Sequence, residues 1–205
     1  MNHFKKYLTE FIATGLFALA IGVSAFNPAF MAAPVIAGVT LALFVYVFGS
    51  ISGTHINPAV TLGLLSLRKI SVKDAAGYIV AQLLGGLAAL YIGKLFVAEL
   101  GAIPAGTIEV TTMVFFAEMI GAIVFGMGIA AAVYDKVSKS LSGAVIGGSL
   151  VIGLGIAASA GSLGILNPAV AITIGAFNFV YIAGPIAGML IGMQFYKWVS
   201  HMRNA

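Results

Sequence analysis

The sequence predicts an all-α membrane protein of six transmembrane helices and two re-entrant half-helices, arranged as an inverted repeat. Three observations carry this. Hydrophobic residues make up 61% of the 205 and charged residues 8%, and the mean hydropathy is +1.11, too apolar for a domain with a solvated surface. Apolar runs reach the ~20 residues a helix needs to cross hydrocarbon, without the polar/apolar alternation of a barrel strand. The tripeptide Asn-Pro-Ala recurs in matching settings, as Asn57-Pro58-Ala59 and Asn167-Pro168-Ala169, each opening an apolar stretch too short to span.

In chain order the first span covers residues 8–26. Its basic start resembles a secretory signal, but the apolar stretch is long for one, contains Glu10, and is needed to complete the symmetry of the chain. The second span covers 33–51. A third tripeptide, Asn27-Pro28-Ala29, falls between these spans and has no half-helix length behind it, so it reads as a loop turn or as a proline opening the second span. Half-helices are predicted over 57–67 and 167–177, because Asn caps free helix amides and Pro suits the first helical position. The remaining spans cover 74–97, 113–134, 143–161 and 179–199. Glycines four apart, such as Gly143 and Gly147 or Gly184, Gly188 and Gly192, mark close helix crossings rather than chemistry.

Glu10 precedes Asn57 by 47 residues and Glu118 precedes Asn167 by 49. Three spans accompany each copy, and an odd number forces the second copy to enter from the opposite side. The expected organisation is one channel domain, 1–205, made of halves 1–97 and 113–205, with Pro104 and Gly106 in the joining loop. Non-helical backbone at membrane depth is tolerated only inside protein or along a water-filled cavity, so the segments ahead of Asn57 and Asn167 should border a path. Nine of the ten basic residues fall in the gaps on one side: Lys5, Lys6, Arg68, Lys69, Lys73, Lys136, Lys139, Lys197 and Arg203. Lys94 is the tenth, near a loop carrying Glu99 and Glu109. This bias places both termini in the cytoplasm and the protein in the cell membrane.

The scattered cations form no groove-facing stripe, which argues against nucleic acid as a partner. With no cysteine and no cluster of His, Asp and Glu, neither a metal nor another cofactor is expected, and no nucleophile sits beside a base, so no enzyme is expected. In each half-helix the asparagine oxygen can cap its own helix and leave the amide NH2 free to donate. Asn57 and Asn167 then become paired donors for water or a neutral solute, while two positive helix starts repel cations and hydronium. Glu10 and Glu118 are ionisable at membrane depth and by default suggest a proton-coupling pair. An ion-coupled secondary transporter is the alternative such inverted repeats allow. His55 is a candidate pH sensor, because a free histidine titrates near neutrality, or else a loop prop or vestibule lining.

The motifs TEFIATG at Thr9 to Gly15, SGTHINPAVT at Ser52 to Thr61, AQLLGG at Ala81 to Gly86, AEMIGA at Ala117 to Ala122, the second Asn-Pro-Ala, and VYIAGPIAG at Val180 to Gly188 occur in one order along the chain. With them the sequence resembles the aquaporins, or major intrinsic proteins, over nearly its whole length. The resemblance implies a passive channel in the lipid bilayer, assembled as a homotetramer with a pore in each subunit. It also implies that Glu10 and Glu118 accept amide hydrogen bonds from the non-helical backbone, and that carbonyls of Gly53, Thr54 and His55 face permeating molecules. One departure stands out: most aquaporins carry arginine after the second Asn-Pro-Ala, and here the residue is Val170, followed by Ala171. The family's selectivity constriction maps onto Ala37, Gly155, Gly164 and Val170, with Leu154 or Ile156 open as alternatives to Gly155. A wider, more apolar and less positive constriction is expected, passing water together with small uncharged solutes such as glycerol, urea, ammonia, hydrogen peroxide or neutral metalloid acids.

Overall fold

A computed structural model of the chain describes residues 3–27, 31–102, 110–134 and 136–201, which form eight α-helices. Six are long and apolar enough to cross a membrane: α1 (His3–Phe26), α2 (Ala33–Ser52), α4 (Val72–Gly93), α5 (Thr112–Val133), α6 (Lys139–Ser159) and α8 (Phe179–His201). Two are short, α3 (Pro58–Ser66) and α7 (Pro168–Ile174). Their nine and seven residues rise about 14 and about 10 Å, far less than the ~30 Å of a hydrocarbon core. Pro104, Gly106, Glu109 and Arg203, with Pro28 and Ala29 of the third tripeptide, lie outside the described residues.

The element boundaries differ from expectation at the ends. α1 starts at His3 rather than residue 8, its first turn tied to α4 by Asp74, which accepts from Tyr7 Oη at 3.0 Å and contacts His3 Nδ1 at 2.6 Å. α4 starts at Val72, capped by Ser71, and ends at Gly93 instead of 97 because the chain tightens there into short-range turns. α6 starts at Lys139, four residues early. α7 stops at Ile174 rather than 177, because Gly175 turns left-handed at φ 81° and its Cα lies against the backbone of Gly101, where a side chain has no room. Asn27 closes α1 through its amide to Val23 O at 2.9 Å, and Pro34, not Pro28, stands in the first turn of α2.

Within lipid, helix association depends on close van der Waals packing rather than on apolar burial, so small residues decide where helices cross. α1 packs on α2 and α4, α5 on α6 and α8, and α2 on α6 where the halves meet. The glycine rows serve these crossings: Gly184, Gly188 and Gly192 of α8 lie against the carbonyls of Phe115, Met119 and Ile123 on α5, and Gly143 and Gly147 of α6 lie against α2. Each half-helix leans on the other half of the chain, α3 on α8 and α7 on α1 and α4. Leu43, Val47, Leu84, Ile120, Ile152 and Phe195 are exposed on the outside of the bundle, as a lipid-facing surface requires.

Candidate pore between the half-helices

The segments leading into Asn57 and Asn167 hold costly backbone conformations. Thr54, Ile56 and Leu166 have φ of 51°, 40° and 52°, a region that costs a residue with a side chain about 1–3 kcal/mol. Two buried carboxylates stabilise them in the same way. Glu10 Oε1 accepts from Ser52 Oγ at 2.6 Å and from the His55 amide at 3.0 Å, and Oε2 from the Ile56 amide at 2.7 Å and Gln82 Nε2 at 2.8 Å. Glu118 accepts from Ser162 Oγ, from the Ile165 amide at 3.0 Å and from the Leu166 amide at 2.8 Å. The serine oxygens in turn accept the amides of Thr54 and Gly164, each at 3.1 Å. Glu10 thus takes four protein donors, two on each oxygen, and Glu118 takes three. Neither serine stands out as a site residue in the sequence, although a signal exists: Ser52 and Ser162 each precede their asparagine by five residues.

At the meeting point, Asn57 Oδ1 accepts the Ala59 amide and Asn167 Oδ1 the Ala169 amide, both at 2.9 Å, so each asparagine caps its own helix. Their amide nitrogens are not wholly free, which corrects the expectation. Asn57 Nδ2 donates to Leu166 O at 2.9 Å and Asn167 Nδ2 to Ile56 O at 3.0 Å. Each asparagine thus clasps the residue preceding the other, and one N–H of each NH2 group is left over. Pro58 and Pro168 occupy the first turn of their helices, and Ala59 and Ala169 are fully buried.

A cavity of about 80 Å³, room enough for water, borders both asparagines. Its wall includes Ala37, Leu154, Gly164 and Val170, and beyond them Phe17 and Phe125, with His55 as the titratable group. Gly155 does not border it: this residue is exposed on the outer face of α6, while Leu154, one position back, is buried and turned inward. Counting from the motifs leaves such a one-residue choice open because adjacent helix positions differ by about 100°. Val170 is 2% exposed, so the position where the resemblance expects a cation presents an isopropyl group. Gly53 and Thr54 lie outside this wall: Gly53 caps α2 at φ 88°, and Thr54 Oγ1 donates to Phe44 O at 3.1 Å.

His55 is buried, with Nδ1 3.2 Å from Thr61 Oγ1 and its ring edge-to-face with Tyr78 at 4.9 Å. Gln82 Nε2 reaches the same hydroxyl at 2.9 Å. Thr61 and Gln82 lie within the motifs SGTHINPAVT and AQLLGG but carry no local sign of a site role, and Tyr78 lies outside both; what joins them is contact between α3 and α4. Among the described residues no group of His, Cys, Asp and Glu is arranged to hold a metal ion.

Residues 1–196 match the family model described as major intrinsic protein. The chain belongs to that family. As a major intrinsic protein it is a passive membrane channel for water and small solutes, multi-pass and not an enzyme. Its relatives include Aquaporin TIP2-1 of Zea mays, 38% identical over 208 residues covering 90% of this chain and 82% of the relative. Glycerol uptake facilitator protein-like 6 of Lactiplantibacillus plantarum is 32% identical, covering 91% of this chain and 94% of that protein. In fold, this major intrinsic protein is similar to the aquaglyceroporin of Plasmodium falciparum, with a TM-score of 0.72 over the whole of both chains at 22% identity.

Proposed function

We propose that the cavity is the outer part of a pore in each subunit, conducting water and small uncharged solutes such as glycerol, urea, ammonia, hydrogen peroxide or undissociated metalloid acids. The observation that carries this reading is Val170 in the cavity wall together with Ala37, with Leu154 and Gly164 beside them and no cation among these four. The free N–H of Asn57 and that of Asn167 serve the oxygen of a passing molecule, and the two helix starts they cap disfavour cations and protons. Glu10 and Glu118 act as scaffolds. The seven hydrogen bonds they accept tie both carboxylates to serine hydroxyls, the approach-segment amides and Gln82, which weighs against a secondary transporter. The halves 1–97 and 113–205 are the repeat units, in line with the matched roles of Glu10 and Glu118. The basic residues flanking the spans support cytoplasmic termini in the cell membrane. The homotetramer carries over from the family resemblance.

Stopped-flow light scattering on proteoliposomes tests the reading. Water, urea and glycerol flux above that of empty vesicles is expected, and water flux alone, with urea and glycerol at the empty-vesicle level, would overturn the broad solute range.

A further inference from the structure

We propose that Gln82 and Thr61 hold His55 as the Nδ1–H tautomer, so that its Nε2 lone pair faces the pore as a hydrogen-bond acceptor. The inference rests on the pore reading above and follows one proton at a time from Glu10. The Glu10 carboxylate already takes Ser52 Oγ and the amides of His55 and Ile56, so it offers only acceptor sites to its fourth partner. Gln82 must therefore turn its NH2 toward Glu10, where Nε2 lies 2.8 Å from Oε2. The second hydrogen of that NH2 goes to Thr61 Oγ1 at 2.9 Å.

Thr61 has one hydroxyl hydrogen, and three acceptors lie around it: Asn57 O at 3.2 Å, Gln82 Oε1 at 3.3 Å and His55 Nδ1 at 3.2 Å. Gln82 is fully buried, and among the described residues Thr61 is the partner of its Oε1; Asn57 O lies in the same helical turn as Thr61. Spending the hydroxyl hydrogen on His55 would strip the buried Gln82 oxygen of its donor, at the cost of an unsatisfied polar group. Kept for Gln82, it leaves the second Thr61 lone pair to receive Nδ1–H from His55. The ring cannot rotate away, because Tyr78 packs edge-to-face on it at 4.9 Å and is itself anchored by Oη to Ser52 O at 2.6 Å. His55 borders the cavity, and its Nε2 has no protein partner among the described residues. That nitrogen is not sealed: Thr14 Oγ1 is the described buried side-chain atom left without a partner.

A passing molecule thus meets donors on the asparagines and an acceptor on His55. Urea uses both, its oxygen on the asparagines and an N–H on Nε2. The second half of the chain has no equivalent, since Pro185 of α8 stands four residues after Tyr181 as Gln82 stands four after Tyr78.

Nitrogen-15 NMR of histidine-labelled protein in lipid vesicles reads the tautomer directly, with His55 assigned through a His3→Gln, His201→Gln background. The expected wild-type spectrum has protonated Nδ1 and bare Nε2. Thr61→Val should shift the tautomer ratio about fivefold toward Nε2–H, the weight of one hydrogen bond, while Thr61→Ser keeps the wild-type ratio. Urea flux should fall about fivefold in the valine variant and recover in the serine variant. A wild-type spectrum with protonated Nε2, or a ratio unchanged in Thr61→Val, overturns the assignment. The expected tautomers in vesicles that pass no solute would support it and overturn the pore reading instead.

Discussion

Replacing Glu118 with glutamine tests whether a carboxylate, rather than packing, holds the second approach segment. In the native protein one oxygen accepts Ser162 Oγ and the Ile165 amide, and the other accepts the Leu166 amide at 2.8 Å. A glutamine can keep its oxygen toward the first pair but then presents NH2 to the Leu166 amide, donor against donor. The orphaned amide is buried, and leaving it unpaired costs about 1–3 kcal/mol. Taking ~2 kcal/mol, the melting temperature should fall by roughly 4–8 °C for a chain of this size. Glu118→Ala strands the Ile165 amide as well and should cost about twice as much. Because Leu166 O also receives Asn57 Nδ2, relaxation of this segment should loosen the clasp between the half-helices and lower water flux in the same order, wild type above glutamine above alanine. Thermal melting in detergent and stopped-flow water efflux measure the two quantities. A glutamine variant that melts within about one degree of wild type and conducts water equally would show that the carboxylate is dispensable and that the strained backbone is held by packing alone.

Val170→Arg places a cation in the cavity wall and should reduce urea and glycerol flux by about tenfold, a barrier of ~1.4 kcal/mol, while water flux is largely retained; solute efflux from vesicles checks it. Leu154→Phe should block the cavity and bring flux toward that of empty vesicles, whereas Gly155→Phe, on the outer face of α6, should leave flux unchanged; equal effects from both would contradict the orientation of the helix. Gly86→Ala pushes a methyl group onto the Ala169 carbonyl and should separate α4 from α7, costing ~2 kcal/mol and roughly 4–8 °C in melting temperature.

The spans were legible because a helix in lipid must be long and apolar, a property that composition alone records. The half-helices were legible for a local reason: Asn before Pro caps a helix, and both copies do so through the amide two residues on. Glu10 and Glu118 stood out as acids in apolar runs. The choice of Leu154 over Gly155 was not legible, since rotation of α6 is set by its packing on α2 and α5. Nor was the use of half the asparagine amide hydrogens, which depends on carbonyls more than a hundred residues away in sequence.

Local chemistry, then, accounts for the six spans, the two capped starts and the missing cation at Val170, because length, hydropathy and capping act within a few residues. Tertiary structure alone decided how the starts meet. Their clasp arises where the two starts meet across the halves, the inward turn of Leu154 from the packing of α6 on α2 and α5, and the convergence of Gln82, Thr61 and His55 where α3 packs on α4; hydrogen bonds and rotations of that kind exist only once separate segments are in contact.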